Sequence, residues 1–90
     1  MTRTKAQQHW PGWWDWDLEL TPHVERRMED RGFGEVDLRK MLFDANELDE
    51  DKVVGRWAVG TRHDKRLWTV IVEPDPDVEL LVIVTAFPNE

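Results

Sequence analysis

Residues 53–87 break into three strand-length runs separated by two turn signals, and no other feature constrains the fold as much. The runs cover about Val53 to Thr61, Leu67 to Glu73 and Glu79 to Phe87. Trp57 and Val59 share one face of the first. In the second, Trp68, Val70 and Val72 oppose Leu67, Thr69 and Ile71, which is the period of a half-buried strand. The third is apolar on both faces, the mark of a central strand. Arg62 to Arg66 and Pro74-Asp75-Pro76-Asp77 form the two hairpin loops, and the prolines keep the flanking strands from running on.

The residues before this meander read as two helices. Thr21-Pro22 is an N-cap followed by proline at the first helical position. The first helix runs to about Arg31, where Gly32 suits the left-handed C-terminal position. A second helix over about residues 35–45 opens with Glu35 and Asp37 at its positive dipole end. Its buried stripe is Leu38, Met41, Leu42 and Ala45. Gly32-Phe33-Gly34 joins the two as a tight hairpin. Ahead of them Trp14, Trp16, Leu18 and Leu20 alternate with Asp15, Asp17 and Glu19, as in a half-buried strand or an arm wrapped on the core. The expectation is an α+β fold: an N-terminal arm or strand, then a two-helix hairpin packed on a three- to four-stranded antiparallel meander sheet. Residues 1–15 read as a flexible or Trp-rich arm, frayed over 1–9, and residues 16–90 as the single domain. The expected core contains Val24, Met28, Leu38, Leu42, Trp57, Val70, Val72, Val82 and Val84.

Ninety residues make one small domain, burying about 60–65% of the surface that the unfolded chain exposes. No apolar run approaches the roughly 18 residues of a membrane helix. No secretion signal is evident, which makes the cytoplasm the expected compartment. With no cysteine, disulfides, thiolate metal sites and cysteine nucleophiles are excluded. The net charge of −7 opposes non-specific nucleic-acid binding. The acidic excess is concentrated in residues 67–90, which hold five carboxylates and no lysine or arginine.

Two segments hold the residues that suit phosphate chemistry. His23, Arg27 and Arg31 are spaced four apart and share one stripe of the first helix. The dipole at the first turn disfavours imidazolium, so a neutral His23 is suited to act as a base. The segment Arg62-His63-Asp64-Lys65-Arg66 is the densest in cations, and Arg56 precedes it. Metal-free RNA cleavage needs a base for the 2′-hydroxyl, an acid for the leaving oxygen and cations for the phosphate. His23, His63, Arg27, Arg56 and Arg62 include all those types. Thr85, late on the third run, faces a groove or satisfies a backbone carbonyl. On spacing alone the plainer alternative is preferred: surface ion pairs on the helix and a solvated hairpin tip. Three isolated histidines lack the spacing of a zinc pair, and no phosphate loop, serine elbow or dinucleotide fingerprint occurs, so no metal and no cofactor is expected.

Six tryptophans in ninety residues also need an account. Trp16, Trp57 and Trp68 are assigned to the core. Trp10, Trp13 and Trp14 are left between extending that core and docking a protein partner.

The segment His23-Val24-Glu25-Arg26-Arg27-Met28-Glu29-Asp30-Arg31-Gly32, followed by an acidic start to a second helix, resembles the domain of unknown function numbered four-two-five-eight. Gly55-Arg56-Trp57, Thr61-Arg62-His63, Trp68 through Pro74-Asp75 and the Val-Thr-Ala-Phe end of the last strand agree, so the resemblance covers about residues 16–88. It implies a RelE- or barnase-like fold and a toxin-type, metal-independent ribonuclease of a bacterial toxin–antitoxin or polymorphic-toxin system. The site residues implied are His23, Arg27, Arg56, Arg62 and Thr85. RNA as substrate and an antitoxin or other protein as partner follow from the same resemblance. RelE-like toxins are usually basic, and this chain is not. The competing expectations are a non-catalytic protein-binding module on the same fold and a regulatory partner docking through the Trp-rich arm. They separate on whether His23, Arg27, Arg56 and Arg62 converge in one groove.

Overall fold

A computed structural model describes residues 10–89. A short 3-10 turn, Gly12–Asp15, leads into β1 (Asp17–Leu20), α1 (Pro22–Arg31), α2 (Glu35–Phe43), β2 (Glu47–Glu50), β3 (Trp57–His63), β4 (Arg66–Asp75) and β5 (Leu80–Pro88). The strands form a single five-stranded sheet in the order β1-β5-β4-β3-β2. The fold is α+β.

Local chemistry sets the helix ends. The Thr21 Oγ1 accepts the Val24 backbone N–H at 3.2 Å, as an N-cap does. The same hydroxyl donates to the Ile83 carbonyl at 2.9 Å, which ties the start of α1 to β5. Gly32 closes α1 at φ 74°, the left-handed conformation that glycine adopts without a Cβ penalty. Asp37 accepts the Gly34 N–H at 3.0 Å and caps α2.

The meander is present, and the sheet around it is larger and mixed. Instead of three or four antiparallel strands there are five, because β1 pairs parallel to β5 (Asp17↔Leu80 through Leu20↔Ile83) and β2 pairs antiparallel to β3. The sequence of β2, Glu-Leu-Asp-Glu, shows only Leu48 half-buried and reads as loop, since an edge strand needs just one inward side chain. The first hairpin is also tighter than a five-residue loop. Arg62, His63 and Arg66 lie in strands, and Asp64 and Lys65 alone turn the chain, both at positive φ (53° and 67°). That matches a two-residue type I′ turn.

The two helices cover one face of the sheet. Val24, Met28, Leu38, Met41 and Leu42 pack against Val59, Trp68, Val70, Val72, Leu81 and Ile83. The buried Thr61 hydroxyl donates to the Met41 carbonyl and joins β3 to the end of α2. The core departs from expectation on β5, where Leu81 and Ile83 are buried while Val82 and Val84 are half-buried. A strand apolar on both faces carries no alternation to choose its inner set. Trp57 is partly buried and packs on the core edge.

A bulge then re-phases β5. Val72 pairs with Ile83 and Ile71 with Thr85, so Val84 is the extra residue. Ile83 and Ala86 therefore both face the helices, and Thr85 faces away.

Packing against the core reaches back to Trp10. Trp14 is 3% exposed and belongs to the core, and Trp10, Trp13 and Trp16 pack against it. The Trp10 and Trp14 rings lie 4.5 Å apart, tilted by 40°, and Trp13 meets Trp57 at 5.7 Å. Trp10, Trp13 and Trp14 thus extend the core beside β1. The frayed tail assigned to residues 1–9 lies outside the described residues. No helix among the described residues is long and apolar enough to cross a membrane.

Candidate functional site

β1 is short, and its end exposes the site. Thr21-Pro22 turns the chain into α1 after Leu20↔Ile83, so β5 runs on from Thr85 to Pro88 with β1 no longer beside it. The first turn of α1 stands at this place. His23 Nε2 lies 3.1 Å from Thr85 Oγ1, a contact between residues 62 positions apart. The bulge at Val84 makes this contact available, because simple alternation from Ile83 would turn Thr85 into the core.

Arg27 follows His23 by one helical turn, so their Cβ atoms are about 5–6 Å apart on the same stripe. Arg27 is half-buried, whereas Arg26 and Arg31 are exposed. It has no carboxylate within ion-pair distance among the described residues. A guanidinium on a partly buried side chain with no carboxylate partner is suited to hold an anion.

The other candidates lie elsewhere. Arg56 and Arg62 are six residues apart at opposite ends of β3, about 20 Å at strand rise. Arg56 is already engaged: its Nε donates to Glu73 Oε1 across to β4 at 2.9 Å. Arg62 and His63 line a cleft of ≈ 380 Å³ with Asp37, Lys40, Asp44 and Lys65, between α2 and the first hairpin. Its walls hold charges of both signs, which suits no polyanion. The His63 ring sits between Phe33 and Trp68, at 5.2 and 5.6 Å, and serves as packing under the hairpin. The proposed convergence therefore reduces to His23, Thr85 and Arg27. One groove cannot gather Arg56 and Arg62 at the same phosphate.

Asp75, Asp77 and Glu79 occupy the β4–β5 turn, about 15 Å along β5 from Thr85. No group of His, Asp and Glu among the described residues is arranged to hold a metal ion. Comparison of the chain with protein-family models, curated proteins and solved structures returns no match.

Proposed function

We propose that this domain is a toxin-like, metal-independent endoribonuclease of RelE- or barnase-like plan, acting in the bacterial cytoplasm with His23, Thr85 and Arg27 as its site. The observation that carries the reading is the 3.1 Å contact between His23 and Thr85. In the tautomer whose Nε2–H donates to Thr85 Oγ1, Nδ1 keeps the lone pair that a general base needs. The RNA 2′-hydroxyl gives its proton to His23 Nδ1 as its oxygen attacks the adjacent phosphorus. The bond from phosphorus to the 5′-oxygen breaks, that oxygen takes a proton from water, and a 2′,3′-cyclic phosphate remains. Arg27 holds a non-bridging oxygen and stabilises the charge gathered on the phosphorane.

The test is cleavage of a defined RNA in EDTA, with product ends identified by mass spectrometry. Cyclic phosphate ends and a loss of about 10²–10⁴-fold in His23→Ala are the expected results. Cleavage that EDTA abolishes, or that His23→Ala retains, overturns the reading, as does the absence of any cleavage or growth arrest.

A second reading, a non-catalytic protein-binding module, has its own observation. Arg56 is paired with Glu73, and Arg62 stands at the far end of the same strand, so the sheet lacks the collected cations of a strong RNA-binding surface.

A further inference from the structure

The sheet face opposite the helices carries a mixed surface that the site at His23 does not explain. Register places Ala58, Gly60 and Arg62 of β3, Leu67, Thr69 and Ile71 of β4, and Thr85 and Phe87 of β5 outward on this face. Outward positions of a solvated antiparallel sheet are ordinarily polar. Here Phe87 is 39% and Leu67 49% exposed, and both extend the apolar centre toward the first hairpin. An apolar patch with a polar border is the form that interaction sites take.

The two sides of the face are acidic. Asp17 and Glu19 point outward from β1, and Glu47 and Asp49 from β2. Glu47 leans over the centre, since its Oε1 stands 2.9 Å from the point where a Cβ on Gly60 would sit. The absent side chain at Gly60 is what leaves that room. None of these carboxylates has a cationic partner among the described residues. Arg56, also on this side, is neutralised by Glu73, and the exposed Arg62 lies opposite Leu67 at the hairpin end.

We propose that this face docks a cationic, partly apolar segment of another protein. Lysine or arginine side chains would meet Glu47 and Asp49 on one side and Asp17 and Glu19 on the other, with an apolar side chain over Ile71 and Phe87. β1 and β2 are four strand spacings apart, about 19 Å, which roughly six extended residues span. Charge selects this occupant. A second copy presenting the same face would set carboxylate against carboxylate, and a nucleic acid laid across the Glu47 and Asp49 side would meet the same repulsion. The docking face goes beyond the cleavage reading; Thr85, opposite Ile71, belongs to the same face, and docking makes no use of its contact with His23.

The probe is a twelve-residue peptide alternating lysine and leucine, titrated into the whole protein, with a glutamate–leucine peptide as control. The lysine peptide is expected to bind saturably, to shift the backbone amides of Ala58, Gly60, Ile71 and Phe87, and to weaken as salt rises. Glu47→Gln with Asp49→Asn, and separately Phe87→Ser, each weaken it about tenfold or more. Asp77→Asn with Glu79→Gln removes the same charge from the β4–β5 turn and leaves binding unchanged. Equal weakening by the turn variant overturns the proposal in favour of net charge alone. Shifts confined to α1, equal binding of the glutamate peptide, or no saturable binding overturn it too. So does self-association in sedimentation that Phe87→Ser abolishes, since the occupant is then a second copy. His23→Ala leaves peptide binding intact, so loss of cleavage and loss of docking are read separately.

Discussion

Thr85 Oγ1 lies 3.1 Å from His23 Nε2 and joins the last strand to the first turn of α1. Two substitutions separate the hydroxyl from the shape of the side chain. Thr85→Val removes the only polar atom and should lower RNA cleavage by about 10–100-fold while shifting stability by less than about 0.5 kcal/mol. Thr85→Ser keeps the hydroxyl and should retain most of the activity. Single-turnover rates with thermal melts of both variants check this, and equal loss in the two would mean that the methyl group, not the oxygen, matters.

Arg27 and Arg56 should behave oppositely. Arg56→Gln breaks a half-exposed surface pair with Glu73, a change of under about 1 kcal/mol in stability, and leaves cleavage within about threefold. Arg27→Gln removes the guanidinium beside His23 and should cost cleavage about 10²-fold. Parallel kinetics and urea titrations distinguish them, and a larger kinetic loss in Arg56→Gln would move the site onto the sheet.

Thr21 caps α1 and holds it to β5 at once. Thr21→Ala should cost about 0.5–2 kcal/mol from the lost cap, while the Ile83 carbonyl loses the hydroxyl but keeps the Thr21 backbone N–H at 3.4 Å. Thr21→Ser should restore nearly all of it. Chemical denaturation measures both, and a neutral Thr21→Ala would show that the cap is replaceable by water.

How much was legible in the sequence divides along the same line between local and distant causes. Thr21-Pro22 and Gly32 mark α1 at the bounds observed, because capping chemistry acts over a few residues. The hydrophobic period of Trp68, Val70 and Val72 likewise carries their burial. Residues Glu47–Glu50 carry no such period, and their strand exists because β3 offers an edge. The parallel pairing of β1 with β5 and the bulge at Val84 are decided by partners distant in sequence. That is why the contact between His23 and Thr85 is not legible in the sequence. Charge and the family resemblance group Arg56 and Arg62 with them, and strand geometry separates the two arginines by about 20 Å.

The core offers a direct check. Leu42 is 2% exposed between the helices and the sheet, so Leu42→Ala should cost about 2–5 kcal/mol. Calorimetry giving a loss below about 1 kcal/mol would mean that the site collapses around the smaller side chain.

Trp14 tests where the domain begins. It is 3% exposed and central to a cluster with Trp10 and Trp13, so Trp14→Ala should cost about 3–5 kcal/mol. Unfolding curves that overlay the parent would return residues 10–15 to the status of a separable arm.

Finally, the parallel pairing of Asp17–Leu20 with Leu80–Ile83 orders the events of folding. The β3–β4–β5 meander closes through neighbours in sequence, but β1 has no strand to join until residues 80–83 have left the ribosome. Long-range closure of this kind is slow compared with hairpin formation. Refolding should therefore show the meander and helices forming first and β1 docking last. Until then the start of α1 has no β5 carbonyl for Thr21, and the geometry at His23 is the final part of the molecule to be assembled.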